Sequence, residues 1–141
     1  MIGPGGKKLA ATVSCHVHHW NEGNVSRREC TIELRAEGFD IQNTAFDFFE
    51  AFRGIRDQLA AQDLYPLCYG ASRCVYPSGM LRDMGAGLSA YKLQLSRPVR
   101  SEEIIGIFAT GPDVEVATVA AQRAFWLEWS KAFVSPVAPQ G

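Results

Sequence analysis

An excess of either charge is missing from this sequence: 14 Lys and Arg stand against 15 Asp and Glu, for a formal net charge of −1. That balance lacks the basic footprint of a nucleic-acid-binding domain, and the pairs Lys7-Lys8 and Arg27-Arg28 are isolated. Long apolar runs are missing as well. The apolar opening Leu9 to Val13 soon meets His16, His18 and His19, which does not fit a secretory signal, and no later stretch approaches the roughly 18 residues of a membrane span. The expected location is therefore cytoplasmic, with neither nucleic acid nor membrane as partner. A C-x-x-C pair is absent too: Cys15, Cys30, Cys68 and Cys74 lack the spacing of a zinc ribbon or a redox pair, so all four are expected to be reduced and mostly buried. Asn24-Val25-Ser26 fits a glycosylation acceptor but, without secretion, reads as loop chemistry. There is no internal repeat. A chain of 141 residues can bury about two-thirds of its unfolded surface without a staple, so a single α+β domain over residues 1–134 is expected. The proline-spaced segment 135–141 is expected to be a flexible tail.

What is present is periodicity. Leu9, Ala11, Val13, Cys15 and Val17 alternate with polar residues, and Cys30, Ile32 and Leu34 do so again after Asn21-Glu22-Gly23-Asn24. This predicts an antiparallel hairpin with one wet face. Thr44 as cap, with Asp47 three residues on, predicts a helix from about Ala45 to Gln62. Its Phe48, Phe49, Phe52, Ile55 and Leu59 would face the core, with Asp47, Glu50, Arg53 and Asp57 opposite and Gly54 marking close packing on the sheet. Short extended pieces are expected at Leu67–Ala71 and Cys74–Tyr76, then strands at Tyr91–Leu95 and, more centrally, Ile104–Phe108. Thr118 caps a last helix to about Phe133 that presents Gln122, Trp126, Trp129 and Phe133 on one face. The order predicts α+β architecture: a mainly antiparallel sheet of about five to six strands with two helices packed on it.

Several residue sets invite a chemical reading. His16 and His18 share a strand face that Glu33 can approach, and two imidazoles with a carboxylate can hold zinc, but the spacing is no metal signature. Gly85-Ala86-Gly87-Leu88-Ser89-Ala90 matches the G-x-G-x-x-A dinucleotide pattern, yet the strand-like residues after it are the wrong context. Cys68, Cys74 and Ser78 carry no nucleophile signature. No catalytic, metal or cofactor set is assigned. The densest stretch, Cys68 to Tyr91, combines glycines, tyrosines and the forked donors of Arg73 and Arg82, a composition suited either to recognition or to a long buried connection.

In that stretch, Gly70-Ala71, Val75-Tyr76-Pro77-Ser78-Gly79-Met80, Arg82-Asp83-Met84-Gly85-Ala86-Gly87 and Ala90-Tyr91 resemble a family of small bacterial immunity proteins encoded beside Rhs-type polymorphic toxins. Weaker similarity runs through Ile107-Phe108, Ala117-Thr118-Val119 and Gln122-Arg123-Ala124-Phe125 to Trp129, covering roughly the C-terminal half; Cys74 departs from the polar residue expected there. The resemblance implies a non-enzymatic antitoxin that binds a cognate toxin C-terminal domain, delivered by contact or by type VI secretion, in the cytoplasm of the producing cell. The expected contact residues are Arg73, Tyr76, Arg82 and Asp83, with the faces of Glu50, Arg53 and Asp57 or of His16, His18 and Glu33 as alternatives. Two other readings stand beside it: a small enzyme or ligand-binding domain with a pocket near Arg82, Asp83 and Tyr91, and a homodimer through the Trp126/Trp129 helix or a sheet face.

Overall fold

A computed structural model describes residues 3 and 6–133; the expected flexible tail lies outside the described residues. The chain is α+β. Two three-stranded antiparallel sheets take the place of the expected single sheet, and three α-helices take the place of two. The first sheet is formed by β1 (Ala11–Glu22), β2 (Val25–Ala36) and β3 (Phe39–Ala45), in that order. Helix α1 (Phe48–Ala60) follows, then β4 (Val75–Tyr76), α2 (Gly79–Met84), β5 (Ser89–Lys92), β6 (Ile104–Gly106) and α3 (Val119–Phe133). In the second sheet β5 lies between β4 and β6, so the Ile104 strand is an edge strand and not the more central of its pair. Among the described residues no helix is long and apolar enough to cross a membrane.

The hairpin β1–β2 turns on Gly23-Asn24, with Glu22 opposite Val25 and Gly23 at φ +65°, the position that a type II′ turn reserves for glycine. Phe39, Ile41 and Asn43 continue the inward row as β3, a strand missed in the sequence because only Phe39 and Ile41 of that row are large and apolar. Thr44 therefore sits in β3, where its Oγ1 lies 2.8 Å from that of Thr31, and Asp47 is the helix cap.

Helix α1 lies over β2 and β3 but not over β1. Cys30, Ile32, Leu34 and Ile41 are buried beneath it, whereas their β1 neighbours Cys15 and Val17 stay exposed and Val13 is only partly covered. The expectation that Cys15 is buried is corrected by this placement, since the helix has too little width to reach the third strand. The stripe Phe48, Phe49, Phe52, Ile55 and Leu59 is buried as its spacing predicts, each side chain contributing about 1.5–3 kcal/mol on leaving water. Gly54 does mark a close approach, because a Cβ there would stand 2.1 Å from Asn43 Nδ2. The same core continues into Val75, Tyr76, Ala90, Leu93, Ile107, Phe125 and Trp129, with Phe49 edge-on to Tyr76 and Phe52 edge-on to Phe108.

One buried polar cluster ties these parts. Arg56 of α1 is 3% exposed and donates to Gly70 O (3.2 Å), Gln122 Oε1 (2.6 Å) and Ala117 O (3.0 Å). Gln122 of α3 returns its amide to the carbonyls of Gly70, Ser72 and Val75 at 2.9–3.0 Å. Burial pulls the Arg56 guanidinium down to about 10, so it remains charged at neutral pH and relies on carbonyl and amide dipoles rather than a bonded carboxylate. Gln122→Leu, similar in volume, takes a donor from three buried carbonyls, of which Gly70 O keeps Arg56 and Ser72 O keeps Val75 N, and strands one arm of a buried cation. It is expected to lose about 3 kcal/mol in urea unfolding, with an unchanged m-value.

Candidate functional site

The polypeptide around α1 and α2 is organised by a buried carboxylate. Asp47 is fully buried, and its Oδ1 accepts from Glu50 N at 2.7 Å, which caps α1 in the extended backbone conformation a cap requires. Its Oδ2 accepts from Arg82 Nε at 2.8 Å, and the same guanidinium reaches Glu50 Oε1 at 3.2 Å. Burial draws the Arg82 guanidinium down, but the hydrogen bonds and charges of Asp47 and Glu50 outweigh it and hold it above the usual arginine range. Its plane sits near two rings, 5.2 Å from the centroid of Phe46 and 5.5 Å from that of Phe49. Placing Asp47 on the solvent side of α1 is thus overturned, because a helix N-terminus and an arginine together compensate the buried charge.

The segment after α2 is pressed against this cap. Phe48 N donates to Ala86 O at 2.7 Å, and Gly87 passes with φ +74°, where a Cβ would come 2.9 Å from Phe49 N. The glycines that resemble a dinucleotide fingerprint therefore serve a close backbone crossing between α2 and β5, with a strand after them and not a helix. Arg28, from the hairpin, closes the arrangement. Its three nitrogens donate to the carbonyls of Phe46 (3.0 Å), Asp83 (2.9 Å) and Arg82 (3.0 Å).

The result is a rigid base under an exposed surface. Phe46 is 59% exposed, Met84 80% and Met80 62%, while α2 buries none of its residues. His19, Ser26, Arg27, Arg28, Phe46 and Asp83 enclose an open depression of about 430 Å³ beside them. Sequence reasoning missed Phe46, Arg28, Met80 and Met84. Phe46 falls inside the helix expected from Ala45 until the cap moves to Asp47 and leaves it outside.

The residues singled out in the sequence separate. Arg82 is the internal partner of Asp47, and Asp83 is exposed at the rim of the depression. Tyr76 is buried in the core, stacked on Trp126 at 4.8 Å, which removes it as a contact. Arg73 lies elsewhere, exposed, paired with Glu115 at 3.2 Å and placed over the ring of Phe125. Glu50 and Arg53 pair on α1 at 3.0 Å. On the wet sheet face His16 meets Glu33 at 3.2 Å, but His18 stacks on Trp20, and among the described residues no three His, Cys, Asp or Glu side chains gather as metal ligands.

A second concavity lies between α3 and the second sheet. Tyr76, Tyr91, Leu93, Pro98, Val99, Trp126 and Trp129 line an apolar groove of about 240 Å³; Tyr91 lies there, but Arg82 and Asp83 do not. Trp129 Nε1 donates to Arg97 O at 3.0 Å, so the polar edge of that ring is occupied. At the rim of the same sheet Asp113 accepts from Lys92 Nζ (2.8 Å) and Tyr69 Oη (2.5 Å).

Two outcomes follow. Asp47→Ala removes the cap and leaves Arg82 facing a buried void. It is expected to cost about 2–4 kcal/mol, against roughly 1–2 for Arg82→Lys, which keeps the charge but loses the fork, both read by chemical denaturation. The bonds from Lys92 and then Tyr69 lower the Asp113 carboxyl from 3.8 to about 2. Because its folded value is the lower one, the stability it lends is fully present above about pH 4 and disappears as pH falls through about 2. A carboxyl NMR titration of Asp113 checks the midpoint, and Asp113→Asn is expected to abolish that part of the acid dependence. No protein-family model and no curated protein matches this chain, so the site is defined by its own geometry.

Proposed function

We propose that the protein is an immunity protein that neutralises a cognate polymorphic, type VI-secreted toxin domain in the cytoplasm by binding it, and that the surface around Phe46 and Met84 is its contact. The observation that carries this reading is an exposed aromatic held on a fixed backbone. Arg28 fastens Phe46 O to the end of α2, and Arg82 lies against the Phe46 ring while bound to Asp47. An exposed aromatic beside Arg28 and Arg82, joined through Arg28 to the helix that carries the exposed Met80 and Met84, has the composition from which binding hot spots are made, and its fixed backbone leaves less freedom to be lost on association. Asp83 and the depression beside Phe46 supply a polar rim. Arg82 acts beneath this surface as a support, and Arg73, on another face, would contact only a large partner.

The groove under Trp126 supports a second reading, a small-ligand site, since apolar concavities with a few polar groups are the usual ligand pockets. The two readings separate in one experiment. The protein is co-expressed with the toxin C-terminal domain encoded immediately upstream, host survival is scored, and the complex is isolated. Phe46→Ala with Met84→Ala is expected to weaken the complex at least about tenfold and to lose protection, with thermal stability nearly unchanged. Trp126→Ala is expected to cost stability and to leave affinity in the folded fraction unaltered. Survival without a complex, or affinity that tracks Trp126 and ignores Phe46, would reject the proposed surface.

A further inference from the structure

Strand β1 has one partner, β2, and among the described residues no strand pairs with its outer edge. The edge is long, at 12 residues, and largely exposed. It also lacks the devices that usually keep such an edge single. Between Ala11 and Glu22 there is no proline, lysine or glycine, and the sole formal charge at neutral pH is Glu22, at the turn end.

The turn fixes which main-chain groups are free. A two-residue hairpin loop is closed by a hydrogen-bonded pair, here Glu22 with Val25, and every second pair after it faces β2. The amides and carbonyls of Ala11, Val13, Cys15, Val17, His19 and Asn21 therefore point to the open edge. These residues share the inner face of the sheet, where α1 leaves Cys15 and Val17 uncovered.

We propose that a second copy of this chain occupies this edge, the two β1 strands pairing antiparallel about a two-fold axis at Cys15 and joining their sheets into one. That register sets Val13 opposite Val17 of the other copy and Cys15 opposite its own equivalent, extending the apolar row across the junction. On the wet face Ser14 meets His16 and Thr12 meets His18. Glu22 of each copy extends past Ala11 of the other, on the side of the exposed basic pair Lys7-Lys8 that precedes β1. Moving the axis to His16 places that imidazole against its own copy and Val13 against His19; moving it to Ser14 shortens the overlap and carries Glu22 past the lysines. The interface is isologous and closes as a dimer, and it adjoins the surface around Phe46 at His19, which lines the depression there.

Sedimentation velocity across a roughly hundredfold concentration range is the test. A strand-edge contact lies at the low end of interface sizes, so dissociation is expected on the order of micromolar. A short bis-maleimide is expected to cross-link the dimer through Cys15, and Cys15→Ser to abolish the cross-link without changing the mass distribution. Val17→Lys is expected to yield a folded monomer. Val17→Pro, whose lost amide hydrogen faces the open edge and not β2, is expected to do the same and serves if the lysine variant misfolds. A wild type that stays monomeric over the whole range overturns the proposal. So does a dimer that neither Val17 variant weakens and that Cys15 does not cross-link, which would assign self-association to another face. Neither result depends on a toxin being found.

Discussion

A carboxylate with no exposed surface has to be compensated where it stands, and the chain does so for Asp47 from two directions. The helix it caps contributes an amide and the positive end of the helix dipole, and Arg82 contributes a charged N–H. The backbone of residues 86 and 87 then packs over this pair, accepting from Phe48 N and crossing so closely that only a residue without a Cβ fits at Gly87. Compensating one buried charge and packing against it thus fix the start of α1, the whole of α2 and the entry to β5 relative to one another. Arg28 then fastens the hairpin to that assembly through carbonyls alone. A helix as short as α2, with no buried residue, has little stability of its own, and its position is held by these contacts.

The far half of α1 shows the same logic with the sign reversed. Arg56 is a buried cation whose hydrogen-bond partners are carbonyls and an amide, and Gln122 works there as an adaptor, accepting from the guanidinium through its oxygen and donating to the chain through its nitrogen. Apolar residues in both places would pack the core as well, but they would not specify which loop carbonyl lies against which helix. Residues 68–75 have little regular structure, and this cluster supplies the hydrogen bonds that a sheet would otherwise provide.

The sequence made regular periodicity readable and left compensation hidden. The hairpin, the α1 stripe from Phe48 to Leu59, the Thr118 cap and the α3 aromatics Phe125, Trp126 and Trp129 follow from spacing alone, and all four are in the structure, the side chain of Phe133 lying outside what is described. Two misreadings and one choice left open share a different cause. Thr44 and Asp47 are both good caps, and the choice between them depends on Arg82, 35 residues away from Asp47. The β1 row looks as buried as the β2 row, and only the width of α1 separates them. The stretch from Cys68 to Tyr91 shows glycines and arginines whose meaning lies in the elements they cross. Of the four residues expected to bind a partner, Asp83 reaches the surface now proposed and Arg82 supports it from below; Tyr76 is core and Arg73 is remote, because proximity in sequence within an irregular segment says little about which face a side chain reaches.

That division bears on why the exposed features are where they are. An exposed phenylalanine on a loose loop would lose on binding much of what its burial returns, through the entropy of ordering it. Phe46 is spared that cost in the proposed complex because Arg28 ties its carbonyl to the end of α2, and Arg82 of α2 is in turn bound to Asp47. Fold stability and surface preorganisation are therefore coupled at this site, and a substitution at the buried Asp47 would degrade the proposed recognition without touching a partner. The open edge of β1 has the opposite character. Its free hydrogen-bonding groups follow from hairpin phase alone, and Val17 can change there without disturbing the cluster around Asp47. One sheet thus borders a proposed contact that depends on the fold's central charge and offers at its edge another that does not, the two adjoining at His19.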